Sequence, residues 1–153
     1  MRIGFGCDHA AIDLKNTLLE HLKGRGFECV DFGGNDPTAK INYPEKGQEV
    51  AEALVRGEID KAVLVCGTGI GISLAANKVP GIRAAVVSEP YSAKLTVEHN
   101  DANIIAMGSR VVGPELAKMI VDSFFDAKHE GGRHAMRVEM IRDIERKYSK
   151  VDE

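Results

Sequence analysis

Residues 63–78 read VLVCGTGIGISLAANK. An apolar, Val-rich run ends on Cys66, glycines follow at 67, 69 and 71, and a helix-forming tail closes the stretch. This is a strand, a tight turn and a helix in direct succession, the unit from which parallel sheets are built. The same grammar extends outward in both directions. Strand-like runs occur at RIGFG (2–6), FECVDFG (27–33), KAVLVCG (61–67), IRAAVVS (82–88) and ANIIAMG (102–108). Helical patterns lie between them, at Ile12 to Leu22, Val50 to Val55, Ile70 to Lys78 and Tyr91 to Glu98. Parallel neighbours need a crossover of a dozen residues or more, so the expected architecture is an open five-stranded parallel sheet between helices, a Rossmann-like three-layer α/β sandwich. Pro114 to Lys128 reads as a fifth helix and the segment after EGG (130–132) as an extra C-terminal sixth, with Val138, Ile141, Ile144 and Tyr148 at helical spacing. No strand follows for that stripe to cover, so it packs either on a second subunit or back on its own chain, and a homodimer is favoured.

At 153 residues and 44% hydrophobic content the chain is expected to form one domain, 1–153, burying roughly 68–70% of the surface of its unfolded form. A net charge of −3 with scattered Lys and Arg gives no footprint for nucleic acid or an anionic membrane. Charged residues interrupt the opening segment before a signal-type core develops, and no apolar run reaches the length of a membrane span. Three cysteines without a C-x-x-C pair argue against a disulfide framework, so a cytoplasmic location is expected.

In an open parallel sheet ligands bind beyond the carboxyl ends of the strands, where Cys66 and the Gly67-Thr68-Gly69-Ile70-Gly71 turn fall. Glycines admit close backbone approach, and the first N–H groups of a helix are unpaired donors, so this loop suits negative charge. The G-x-G-x-G spacing departs from the dinucleotide fingerprint, and no Lys follows the last glycine as a phosphate-binding P-loop requires. Cys66 is either a packed apolar residue or, with those donors beside it, a nucleophile or a base; Cys29, within a strand, is read as filler. Asp8 and His9 follow the first strand and Tyr43 lies in the loop after the second, so all three converge on the same edge. Each has a plainer reading: Asp8 as a helix cap, His9 as a surface histidine, Tyr43 as an anchor of its loop. The five histidines show neither H-x-x-x-H nor H-E-x-x-H spacing, which argues against a metal site.

GCDHAAIDLK (6–15), YPEKG (43–47), CGTGIGISLAANK (66–78), GIRAA (81–85), HNDANIIAMGSR (99–110) and GGRHAMRV (131–138) together resemble the type B ribose-5-phosphate isomerases, a family that includes galactose-6-phosphate and allose-6-phosphate isomerases. The resemblance implies aldose–ketose interconversion of a sugar phosphate without metal or organic cofactor in a homodimer, or a larger assembly of such dimers. It implies Cys66 as the base moving a proton through an enediolate, with Thr68 beside it, His99 as the ring-opening residue and Asp8 as its assistant. It further implies Asn100 and Tyr43 as hydroxyl contacts and His9, Arg110, Arg133 and Arg137 as the phosphate set. Some relatives carry a Glu later in the helix in place of the thiol; here Cys66 is present and 72–78 holds no acid. Met136 stands where the last motif commonly has Arg. The backbone of Gly67, Gly69 and Gly71 is where an enediolate oxygen would be held. A nucleotide- or flavin-binding module and a catalytically silent sugar-phosphate sensor are the competing readings.

Topology adds one expectation. His99 and Asn100 follow a returning helix and so fall on the edge opposite Cys66, separated by roughly 17 Å of strand. Arg133 and Arg137 share that position. If all act in one pocket, one chain contributes Asp8, His9, Cys66 and Thr68 while a second contributes His99, Asn100, Arg133 and Arg137, giving two shared sites per dimer.

Overall fold

The computed structural model describes residues 1–149; the last four residues of the expected domain, 150–153, lie outside the described residues. Five strands, β1 (Arg2–Cys7), β2 (Glu28–Asp31), β3 (Lys61–Cys66), β4 (Ala84–Val86) and β5 (Ile104–Gly108), alternate with α1 (Ile12–Gly24), α2 (Tyr43–Val55), α3 (Ile70–Ala76) and α4 (Pro90–Glu98). Helices α5 (Pro114–Asp126) and α6 (Gly132–Tyr148) complete the chain. All pairings are parallel, in the order β2-β1-β3-β5-β4, so the chain leaves β1 toward one edge for β2 and toward the other from β3 onward. The reversal places a crevice between the carboxyl ends of β1 and β3, the position at which doubly wound sheets bind ligands.

The period-two alternation of the strands divides the core into two layers. Ile3, Phe5, Cys7, Val63, Val65, Ile105 and Met107 pack against α1, α4 and α5, where Leu18, Val97 and Phe124 close the layer. Ala62, Leu64, Cys66, Ile104 and Ala106 face the opposite layer, with Val50 of α2 and Ile72 of α3. Cys66 therefore sits at the end of β3 on the face covered by α2 and α3.

Element boundaries depart from the sequence expectation in instructive ways. Helix α2 starts at Tyr43 rather than Val50, because Asn42 serves as N-cap and Pro44 fills the first turn, where its missing N–H costs nothing. Gly47, which weakens the helical pattern in the sequence, is required there: a Cβ would lie 2.9 Å from the carbonyl oxygen of Ile72, so α2 and α3 can cross closely only over a bare backbone. Tyr43 is thus a helix residue and not a loop anchor. The outer strands are shorter than their apolar runs, β2 spanning four residues and β4 three. Of α6 only His134 and Val138 are buried; Met136, Met140, Ile141, Ile144 and Tyr148 remain exposed.

Candidate active site

The loop at the end of β3 is built around its sulfur. Cys66 is 4% exposed, and its Sγ accepts a hydrogen bond from the Gly69 N–H at 3.1 Å. Thr68 Oγ1 accepts from the Ile70 N–H at 3.2 Å. Two of the donors expected for a ligand oxygen are therefore committed inside the loop, one of them to the thiol. Gly69 has φ +80°, and a Cβ there would lie 2.7–2.9 Å from the Met107 backbone, so the turn closes onto β5 only as glycine. Gly71 makes room for a ring instead: a Cβ would lie 2.6 Å from Tyr43, whose ring rests over the first turn of α3.

The neighbouring strands add the remaining groups of this edge. Asp8 is buried, pairs its N–H with the Val65 carbonyl, and accepts from the Ala10 N–H through Oδ1 at 3.0 Å. It forms a side-chain turn ahead of α1 and not the cap expected of it, since Ala11 occupies the N-cap position without a side-chain bond. His9 is exposed and accepts from the Ile41 N–H through Nδ1 at 3.4 Å. After β5, Ser109 and Arg110 pair their N–H groups with the carbonyls of Cys66 and Gly67, which brings the Arg110 guanidinium over Gly67. His9, Asn35 and Arg110 join Ile12 and Thr17 of α1 and Pro114 of α5 in lining a cleft of about 570 Å³, which adjoins the 66–71 loop through Arg110 while Cys66 itself is not in its lining.

Sequence reasoning passed over what holds these groups. Lys15 is completely buried and donates from Nζ to both carboxylate oxygens of Asp31 at 2.9 and 3.0 Å and to Asn35 Oδ1 at 2.5 Å, pinning the loop after β2 to α1. Its place in the GCDHAAIDLK motif was the available signal. Cys7, one residue before Asp8, donates weakly to the Gly34 carbonyl at 3.6 Å, and burial pushes its thiol up to about 11. Cys29 is half-buried in β2, and burial raises it as well.

The other sequence candidates lie on the opposite edge, as the topology requires. His99 is the C-cap of α4, ahead of β5, whereas Cys66 pairs with Gly108 at the far end of that strand. Arg83 fixes the turn after His99 by donating to the carbonyls of Asn100 and Asp101 at 2.8–3.1 Å, with Asp101 at φ +49°. The His99 and His134 rings stack at 4.1 Å with 5° between planes. Burial, with His99 and Arg133 next in effect, holds His134 below the usual imidazole range. Arg133 and Arg137 are exposed on the first turns of α6. Within one chain, then, Asp8, His9, Tyr43, Cys66, Gly67, Thr68, Gly69, Gly71 and Arg110 come together, and His99, Asn100, Arg133 and Arg137 form a second group apart from them.

A parallel α/β sandwich carrying a hydrogen-bonded thiol, a buried carboxylate and a cleft with His and Arg at its strand reversal has the layout of a small-molecule enzyme acting on an anionic substrate. The chain belongs to the Ribose/Galactose Isomerase family, which it matches over residues 3–141. It is 53% identical over 146 residues to ribose-5-phosphate isomerase B of Escherichia coli (strain K12), covering 95% of this chain and 97% of that one. It is 45% identical over 142 residues to D-erythrulose-4-phosphate isomerase of Pectobacterium atrosepticum, covering 92% and 93%. The solved ribose-5-phosphate isomerase B of Clostridium thermocellum superposes with a TM-score of 0.94 at 53% identity, covering 97% of this chain and 99% of that one.

Proposed function

We propose that this protein interconverts ribose 5-phosphate and ribulose 5-phosphate. The observation that carries the proposal is the Cys66 sulfur, buried at the strand reversal and facing a backbone N–H, in a chain whose 53% identical relative is a ribose-5-phosphate isomerase over nearly its whole length. The thiolate removes the proton from C2 of the open-chain aldose and returns it at C1, while the hydroxyl proton on O2 passes to O1, so that C1 becomes the carbinol and C2 the carbonyl. Negative charge that builds on the enediolate oxygen is met by the Thr68 hydroxyl and by the N–H groups of the 67–71 loop that Cys66 and Thr68 have not already engaged. Asp8 and Tyr43 face the sugar hydroxyls, and His9 and Arg110 receive the phosphate.

Ring opening and the rest of the phosphate grip come, in this reading, from a second copy, whose His99, Asn100, Arg133 and Arg137 complete the pocket. The exposed Ile70 and Leu74 of α3 and the exposed apolar residues of α6 support a homodimer. Three free cysteines support a reducing, cytoplasmic setting. Among the described residues no helix is long and apolar enough to cross a membrane.

The test is ketose formation from ribose 5-phosphate, expected to proceed equally with a chelator or an added nucleotide; no ketose at any protein concentration overturns the proposal. Comparing kcat/KM for ribose 5-phosphate, allose 6-phosphate and galactose 6-phosphate sets the sugar length. A large preference for a six-carbon phosphate would reassign the substrate.

A further inference from the structure

Away from the thiol, three side chains from three segments of the chain meet. His99 ends α4, Glu130 lies between α5 and α6, and His134 sits one helical turn beyond it in the first turn of α6. The ligand-capable atoms of the three lie within 4.8 Å of one another, the only such group of His, Cys, Asp or Glu among the described residues. His134 is 6% exposed, and its Nε2 is buried without a hydrogen bond; Glu130 Oε2 stands 3.4 Å away but outside hydrogen-bonding geometry. A buried imidazole nitrogen with no partner is costly unless something is to fill that position.

We propose that His99, Glu130 and His134 form a binding site for one divalent transition-metal ion of the Zn²⁺ or Co²⁺ kind. Two imidazoles and a carboxylate are a ligand set that zinc accepts with a fourth position left open. The spacing of histidines in the sequence hides it, because one ligand is a Glu four residues before His134 and the other comes from a different helix. Binding requires modest movement. Ligand atoms around a tetrahedral zinc stand about 3.4 Å apart, a distance that follows from Zn–N bonds of about 2.0–2.1 Å. The stacked rings must also splay so that their lone pairs converge. Glu130 is exposed and His99 half-buried, so the two that must move are the two with room. Arg133 and Arg137 are close enough to disfavour added positive charge, and the Glu130 carboxylate offsets one of them. The ion is an occupant that takes His99 out of use and has no part in the isomerisation.

The experiment titrates metal-free full-length protein with Co²⁺ and follows the visible ligand-field bands, then displaces Co²⁺ with Zn²⁺. One ion per chain is expected, without the near-ultraviolet thiolate-to-cobalt charge-transfer band that a cysteine ligand would give. Cys66→Ala should bind as the wild type does. Glu130→Gln, a change at an exposed position, should weaken binding by at least about tenfold, the lower limit seen even for loss of an outer-sphere partner; His134→Gln should weaken it further. Absence of stoichiometric binding, a thiolate band, loss of binding in Cys66→Ala, or wild-type affinity in Glu130→Gln would each overturn the site. A parallel assay of ribose 5-phosphate isomerisation should show inhibition by Zn²⁺ that a chelator reverses. Only this arm rests on the role proposed above for His99: binding without inhibition would leave the metal site standing and remove His99 from the mechanism.

Discussion

Three thiols in one small chain meet three different environments, and their chemistry should separate accordingly. Cys66 accepts a backbone N–H at the carboxyl end of β3, Cys7 is packed beneath Gly34, and Cys29 lies half-buried in an edge strand. If Cys66 is the base, Cys66→Ala should bind sugar phosphate about as tightly as wild type while kcat falls by about 10²–10⁴; a fully active variant would make the residue filler. Alkylation should likewise be slowed at Cys66 by substrate, with Cys7 and Cys29 reacting slowly throughout. Cys7 gives a second, independent readout. The folded protein holds its proton to about 11, against an ordinary value of 9.0. The stability this provides is therefore present below about pH 9 and lost as pH rises through about 11, up to roughly 2–3 kcal/mol. Urea unfolding of wild type and Cys7→Ala across that range should show the alkaline loss shrinking in the variant; identical pH slopes would mean that the thiol is not held protonated.

At the scale of elements, the β3–α3 turn joins fold and site through backbone geometry. Gly69→Ala should destabilise by at least about 1–2 kcal/mol for the left-handed backbone alone, and by more for the approach to Met107. Gly57 provides the control, with φ +79° and open space around it. The excess cost of Gly69→Ala over Gly57→Ala in urea unfolding measures the crowding, and equal costs would show that the loop can shift off β5. This turn was legible in the sequence because strand, glycine spacing and helix are all local signals. So were the five strands and the edge on which Asp8, His9 and Cys66 meet. The start of α2 was not, because Gly47 weakens the helical pattern for a reason that lies in another helix, its contact with α3. Lys15 also escaped notice: a lysine at an apolar helix position becomes intelligible only when Asp31 and Asn35 are seen to receive it. The stacking of His134 on His99 joins residues 35 positions apart, and no local pattern carries it.

For the whole molecule the decisive fact is that the two groups of candidate residues occupy opposite edges of one sheet. Strand β3 separates the Cys66 edge from the His99 edge by roughly 17 Å, too far for both to act on one small sugar within a chain. Two copies related by a two-fold axis can bring each edge against the other, and the exposed apolar residues of α3 and α6 supply surface for that contact. The shared-site homodimer proposed above has a consequence that no single-chain site shares. Cys66→Ala and His99→Ala homodimers should each be nearly inactive, since every site in either carries one defect. Unfolded and refolded together, they also form mixed dimers, in which one site carries both defects and the other carries neither. Activity should therefore return, approaching half that of wild type per mixed dimer, and should scale with the fraction of heterodimer resolved by differently tagged chains. If heterodimers form and the mixture stays as inactive as its parents, His99 does not act across the interface, and the chain must bring it to Cys66 by a rearrangement of its own.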